Sequence, residues 1–499
     1  MFLSDLDAIL GEVLLFLAAL AGLVYGLASR RARRETLITY ALATLMIVLA
    51  LWFAFGRAGV FAGFAQTYLD DTFGRFVRIL LLLAGALSLI IAVEPMGRRG
   101  FVRVDLGPLT ALAVVGMMLM VSAADLIVLF IGTEIAFLAL TALTALFRER
   151  PLPDNAPPPD RPGVAALDTF LVGWIGAALF LFGASLVFGG AGATSYAGLR
   201  AVIASGGADL STGFGLGLIV ISLLLKVAAL PGHGWRPALL EELPAPLAGF
   251  LLTLPRLAVL AVLARLFYGP FATEFELWRG GVAALAAVAM LAGAFGMAAQ
   301  ARDAGDFRRF LTQMALFQTG LALIGVTTAS AAGLGAMLLH LSLFTLAMLA
   351  LYAFVAAMER EGAPVSNVAS LGQLAAAEPA KAFALSVLLL ALIGLPPLAG
   401  FLPRIALLSA AMAAGLGWLV VLAGLATLIA AVPVLRLIWL MFGVGEEWRP
   451  LPGRFGVPMA APGYLTLMLG AVVMLLGIGG IGWFEDAAQN AANALLESR

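Results

Sequence analysis

Five ionisable residues stand inside long apolar runs, and their types set what chemistry the chain can do. Lys226 ends the run Gly217-Leu-Ile-Val-Ile-Ser-Leu-Leu-Leu-Lys226, and Glu134 lies in Leu129-Phe-Ile-Gly-Thr-Glu134. Arg256 follows Leu252-Thr-Leu-Pro, Arg404 follows Phe401-Leu-Pro, and His340 follows Met337-Leu-Leu. An intramembrane lysine costs roughly 2.5–3.5 kcal/mol on insertion scales, so it is kept for a reason and with a partner. The chain has 29 basic residues, of which only Lys226 and Lys381 are lysines. Arginine stays charged, whereas a desolvated lysine can give up its proton. Lys226 is therefore the candidate for reversible proton binding. Glu134 reads as the only carboxylate deep in a span, and a buried glutamate must be neutral or paired. As partners, each lowers the cost of charging the other, so a proton reaching one changes the affinity of the other. The competing reading is a static ion pair that fixes packing.

The remaining polar residues leave more open. Arg256 and Arg404 can hold water chains by their fixed charge but hardly release protons; the alternative is snorkelling from a helix end. His340 suits a proton relay, since an unperturbed imidazole titrates near pH 6.5, roughly; it equally suits a hydrogen-bonded structural role. Thr312, Gln313, Gln318 and Thr319 share one stretch and can hold water or join helices. His233 reads as near the cytoplasmic surface, and Arg265 and Arg436, each closing a span, as interface anchors.

The elements that carry these residues are membrane helices. The 499-residue chain is 63% hydrophobic and 12% charged, with a mean hydropathy of +1.06, which no soluble globular domain matches. Apolar runs of bilayer length follow one another from end to end. The expected fold is an all-α polytopic membrane protein of about 14 transmembrane helices, near 8–28, 36–56, 77–95, 106–122, 124–147, 165–189, 213–235, 246–268, 280–300, 308–328, 331–357, 380–412, 416–443 and 461–484. The first run has acidic Asp5 and Asp7 before it and Arg30-Arg31 after it, so it reads as a retained helix rather than a signal peptide. Alternate loops are rich in arginine: Arg30 to Arg34, Arg98 to Arg103, Arg148 to Arg161, Arg302 to Arg309, then Arg360 and Lys381, then Arg449 and Arg454. The positive-inside rule makes that side cytoplasmic, and an even number of spans puts both termini outside. Pro151–Asp160 is the one clear linker, extended by its prolines.

Two apolar segments are interrupted near their centres, at Leu230-Pro231-Gly232 and at Gly394-Leu395-Pro396-Pro397. Freed backbone groups are tolerated at membrane depth only beside protein or water. Breaks at matching places point to an internal repeat with polar sites at the breaks. The expected organisation is a three-helix region over 1–105, two inverted five-helix repeats over 106–268 and 280–443, and a C-terminal region over 444–499.

Several functions are excluded by composition. There is no cysteine, and the only histidines are His233 and His340, so the chain is not expected to carry iron–sulfur or haem centres. Zero formal net charge gives no bulk attraction to nucleic acid. Glycine-rich stretches lack the strand–turn–helix context of nucleotide sites.

Three motifs together resemble one family. They are Gly116-Met-Met-Leu-Met-Val-Ser-Ala-Ala-Asp125 continuing to Glu134; Lys226-Val-Ala-Ala-Leu-Pro231-Gly-His-Gly-Trp235-Arg-Pro with Pro244-Ala-Pro246; and Leu392-Ile-Gly394-Leu-Pro396-Pro-Leu-Ala-Gly400-Phe. The chain is similar over its whole length to the antiporter-like membrane subunits of proton-pumping NADH:quinone oxidoreductase, respiratory complex I, and most to the subunit N branch. That resemblance implies 14 helices in a membrane arm, two inverted repeats, and proton translocation driven by quinone reduction in other subunits. It implies that Glu134 of the fifth helix pairs with Lys226 of the broken seventh. NADH, flavin, iron–sulfur clusters and quinone would belong to partner subunits, with other antiporter-like subunits and lipid as neighbours. The chain departs from the family where lysines of the eighth and twelfth helices fall on Arg256 and Arg404, and where a basic residue opening the sixth falls on Asp168. Either the arginines organise water around one titrating pair, the favoured reading, or the second half no longer passes protons. A subunit of a cation/proton antiporter complex and a structural scaffold are the competing functions.

Overall fold

The computed structural model describes residues 2–29, 32–56, 59–98, 103–147, 164–206, 209–229, 240, 243–301, 305–443, 453 and 455–497. The linker Pro151–Asp160, the proline of the first break and His233 lie outside the described residues. The chain is built almost wholly of helices, because with no water in a bilayer core only helices and closed barrels satisfy every peptide group. Two compact units are formed, one from Met1–Leu247, Leu254–Arg279 and Asn490–Arg499, the other from Ala248–Thr253 and Gly280–Gln489.

The first unit begins with α1 (Phe2–Ala8), α2 (Leu10–Ser29) and α3 (Ala32–Phe55), then a hairpin of β1 (Phe61–Gly63) and β2 (Tyr68–Asp70). It continues through α4 (Thr72–Arg98), α5 (Leu106–Ser122), α6 (Leu126–Leu146), α7 (Val164–Ala191), the short α8 (Tyr196–Ala204), α9 (Leu210–Lys226) and most of α10 (Ala245–Tyr268). Aspartates and serines set the helix starts by accepting orphan backbone N–H groups. Asp125 accepts from Ile127 N at 2.7 Å and Asp209 from Thr212 N at 2.9 Å. Glycines set the spacing of neighbours. A Cβ on Gly116 would stand 2.3 Å from Ala136 N and 2.7 Å from Gly132 O, so α5 and α6 touch backbone to backbone.

Most of the second unit consists of α11 (Phe275–Gln300) beyond its first turn, α12 (Phe307–Val326), α13 (Ala331–Ala357), α14 (Pro379–Leu392), α15 (Phe401–Ala413), α16 (Gly417–Met441), α17 (Ala461–Gly480) and the first half of α18 (Gly482–Glu497), which turns 85° away from α17. Asp306 and Ser330 cap α12 and α13. A small sheet of β3 (Glu359–Arg360), β4 (Ala363–Pro364) and β5 (Phe455–Gly456) joins two loops. Here too glycine permits close approach, since a Cβ on Gly293 would lie 2.4 Å from Phe317 N.

Among the described residues, eight helices are long and apolar enough to cross a membrane, or nine if the bent α17–α18 pair is one span; α2, α5, α9, α14 and α15 are shorter apolar helices. Helices apolar all round, such as α13, are buried. Peripheral α16 instead turns Trp418, Val421, Leu425, Leu428, Val432 and Trp439 outward, the pattern of a surface solvated by lipid tails.

Both interrupted segments break, and both break before their prolines. The segment expected over 213–235 ends as helix at Lys226, and that expected over 380–412 is two helices, α14 and α15. Each helix closes with the same backbone motif. Ala228 N donates to Leu225 O and Ala229 N to Leu224 O, both at 3.0 Å; Gly394 N donates to Ala391 O at 2.9 Å and Leu395 N to Leu390 O at 3.1 Å. This is the Schellman pattern, which needs a left-handed residue after the helix end. Ala228 has φ +52° and Gly394 φ +76°.

Candidate functional site

In the first unit the structure brings Glu134 and Lys226 together. Lys226 is the last helical residue of α9, where unsatisfied carbonyls and the helix dipole favour a cation. Its Nζ donates to Glu134 Oε1 at 2.6 Å and lies 5.0 Å from the centroid of the Phe137 ring, one turn along α6. The lysine side chain is fully buried, and Glu134 is 24% exposed. Glu134 lies in line with Ile127, Ile131 and Leu138, all exposed, on the outer face of α6. The pair therefore has one sealed member and one that opens sideways. The lysine stem is held by α7: Ser222 Oγ donates to Gly176 O at 2.6 Å, and a Cβ on Gly176 would stand 3.0 Å from Lys226 Cε. Arg256, on α10, is 1% exposed. The side chain of Asp168 lies outside the described residues.

In the second unit the structure brings His340 and Arg404 to one residue, Gln318. Arg404 is 5% exposed, so it does not snorkel. It donates through Nη1 to Ile393 O, and through Nη2 to Leu392 O at 2.8 Å and to Gln318 Oε1 at 3.4 Å. The carbonyls are those freed at the end of α14, so a fixed cation caps a broken helix. Its guanidinium also stands 5.5 Å from the centroid of the Phe317 ring. Gln318 Nε2 donates to Leu392 O at 2.5 Å, and His340 Nε2 lies 3.2 Å from Gln318 O. A carbonyl can only accept, so this contact is a hydrogen bond when Nε2 carries the proton, leaving Nδ1 as the ring atom that can take one up.

Sequence reasoning missed a third cluster, in the first unit. Glu134 is not the only carboxylate deep within a predicted span: Glu12, on α2, is buried. Tyr68 donates to Glu12 Oε1 at 2.6 Å, and Arg78 donates to Glu12 at 3.1 Å and to the Tyr68 hydroxyl at 2.9 Å. Arg78 also pairs with Asp70, which bonds Arg75 Nε at 2.8 Å. Arg265, expected as an interface anchor, is instead buried and bidentate to Asp71, at 2.8 and 2.7 Å. Burial works against ionising Asp71, but the Arg265 guanidinium and the Gly74 amide outweigh it and hold the carboxyl below its usual range. Burial pushes the Tyr68 phenol well above its ordinary value, so it stays a donor. The readable signal was Arg75 and Arg78, three residues apart on the inner face of α4.

The chain is similar to known proteins over its whole length. Residues 123–430 match the family described as NADH:quinone oxidoreductase/Mrp antiporter, TM. Relatives named NADH-quinone oxidoreductase subunit N include one from Rhodobacter capsulatus, 36% identical over 99% of both chains, and one from Jannaschia sp., 34% identical over 99% of this chain and 100% of the relative. Among solved structures, a chain of respiratory complex I from Thermus thermophilus with bound Aureothin shares the fold at TM-score 0.74 and 23% identity, over 95% of this chain and 97% of that one. A chain of the Mrp complex from Dietzia sp. does so at TM-score 0.79 and 21% identity, over 100% and 99%. The fold, the paired Glu134 and Lys226 at the broken end of α9 and these similarities agree: the chain belongs to the NADH:quinone oxidoreductase/Mrp antiporter membrane-subunit family, in its subunit N branch.

Proposed function

We propose that this chain is a proton-translocating membrane-arm subunit of NADH:quinone oxidoreductase, moving protons across the membrane while quinone is reduced in other subunits. The observation that carries this reading is the 2.6 Å contact between the buried Lys226 ammonium and Glu134 at the end of a broken helix. When the pair is closed, the carboxylate stabilises the lysine proton. When Glu134 is neutralised by a proton or by a neighbouring charge, the lysine loses that support and gives its proton to water at the break. Glu134 opens to the side of α6, which suits coupling to an adjacent antiporter-like subunit. Arg256 and Arg404 act as fixed charges that organise water, and His340 relays protons in the second half.

The subunit acts as a translocase, with NADH, flavin, iron–sulfur clusters and quinone held by partner subunits. The multi-pass chain sits in a bacterial inner membrane with both termini in the periplasm. The shorter helices and α12 complete fourteen spans, with α14 and α15 as halves of one and α17–α18 counted as one. Two inverted five-helix repeats, over 106–268 and 280–443, account for internal parallels. Asp125 and Asp306 cap α6 and α12. Gly116 meets the residue eleven after the first cap, and Gly293 the residue eleven after the second. Lys226 and Leu392 end α9 and α14, with the same Schellman closure after each.

The test is NADH-driven proton pumping in sealed inverted vesicles carrying Lys226→Ala, with assembly of the complex measured in parallel. Loss of pumping in an assembled complex is expected. Normal pumping would make the pair structural and the chain a scaffold.

A further inference from the structure

Gln318 stands where no family motif of the sequence places a functional residue, yet among the described residues of the second unit its side chain and main-chain carbonyl together touch every part of the polar centre. It lies on α12, accepts from Arg404 of α15, donates to the freed Leu392 carbonyl of α14, and offers its own carbonyl to His340 of α13. A second observation marks the same position. Counting twelve residues on from the capping aspartate gives Phe137 on α6 and Gln318 on α12. Phe137 is the residue whose ring faces the Lys226 ammonium, and Gln318 is the residue whose amide oxygen faces the Arg404 guanidinium. Both units thus use the same helix position to hold their cation, through an aromatic face in one and an amide in the other. Nine residues after the cap, where the first unit has Glu134, the second has Ala315. Arg404 therefore has no carboxylate from that position, and an uncharged amide takes part of its place.

We propose that Gln318 is a positioning residue for proton transfer in the second half: its amide pins Arg404 to the broken end of α14, and its carbonyl orients His340 with Nε2 protonated. The inference rests on reading the chain as a proton translocase. The amide serves this task better than a carboxylate would. It gives the guanidinium an acceptor without neutralising it, so the positive charge that orders water at the break is kept. Its N–H group at the same time occupies a carbonyl that Arg404 alone cannot saturate. Leu392 O has two lone pairs, and one is filled by Gln318 and the other by Arg404. His340 is reached through the backbone of the same residue, so cation and imidazole are fixed to one point on α12.

Protons moved per NADH oxidised, in vesicles of the whole complex, test this with Gln318→Leu, Arg404→Leu and the double variant, assembly being checked on native gels. Lys226→Ala runs alongside: normal pumping there would fail the translocase reading itself, whereas its loss with normal pumping in Gln318→Leu would fail only this inference. Gln318→Leu is expected to lower the ratio toward that of Arg404→Leu. The double variant should be no worse than Arg404→Leu, because Gln318 acts through Arg404. Losses that multiply in the double variant would overturn the assignment, since a residue that only packs would add its own defect. Should Gln318→Leu not assemble, Gln318→Met decides, because it keeps the length and bulk of the side chain but offers neither an amide acceptor to Arg404 nor a donor to Leu392 O. An assembled Gln318→Met complex with a lowered ratio supports the inference, and one with the parent's ratio overturns it.

Discussion

Replacing Gly394 by alanine should damage the second half more than the identical residue harms the first. Both breaks close with a left-handed residue, and the first already carries alanine there, Ala228 at φ +52°. The conformational term of about 1–2 kcal/mol is therefore one the fold tolerates. At Gly394 a Cβ would also stand 2.9 Å from Arg404 Cδ and Nε and 3.0 Å from Cζ. Ordinary contact begins near 3.4 Å, so the guanidinium must shift by about half an ångström. Its bond to Leu392 O, 2.8 Å long, would stretch out of the strong range, and a hydrogen bond to a charged group is worth roughly 1.5–3 kcal/mol. The two terms together give a destabilisation of roughly 2.5–5 kcal/mol. Assembled complex on native gels and protons per NADH in vesicles are the readouts. Gly394→Ala should lower both, and Ala228→Gly should leave pumping intact while stabilising the first unit by about 1 kcal/mol. A Gly394→Ala complex that assembles and pumps like the parent would refute the claim that Arg404 is held against the break.

Three further outcomes follow from the first unit. Asp71→Asn removes one partner of a buried bidentate pair and should cost about 3–5 kcal/mol, read as a lower thermal midpoint of the solubilised complex. Because the folded Asp71 carboxyl titrates below its unfolded value of about 3.9, its contribution is present above that pH and is lost as pH falls through the lower folded value. The parent should thus lose stability in acid more steeply than Asp71→Asn; equal slopes would contradict the pairing. Gly116→Ala forces a Cβ against the backbone of α6 and should reduce assembled complex by the 1–3 kcal/mol typical of overpacking, roughly, whereas Gly173→Ala, with nothing within 4 Å, should not. Gly176→Ala should crowd the Lys226 stem and lower pumping with assembly preserved; unchanged pumping would show that the stem has room to yield.

The sequence announced the first site because its chemistry was costly. A lysine and a glutamate set in the middle of apolar runs each need a partner, and their contact follows from the expense of either alone. The breaks were legible from proline, although each helix stops earlier, at a Schellman turn whose left-handed residue is unremarkable Ala228 in one case. Arg404 was legible only in part. Snorkelling from a helix end stood as the alternative, and the carbonyls freed across the break decide against it. The outer cluster was hidden for another reason. Tyr68, Asp70 and Asp71 fall between the spans expected over 36–56 and 77–95, and Glu12, Arg78 and Arg265 come from distant parts of the chain, so no local pattern joins them. Gln318 was one of four polar residues on one helix, and nothing in their spacing singled it out.

The most direct test of the central claim, that the Glu134–Lys226 pair moves protons by titrating its lysine, is proton pumping per NADH with Lys226→Arg. Arginine keeps the charge and can keep the ion pair but does not release its proton. An assembled complex with pumping lost is the predicted result. Full pumping with arginine in place would show that the pair contributes only a fixed charge, and would contradict the account.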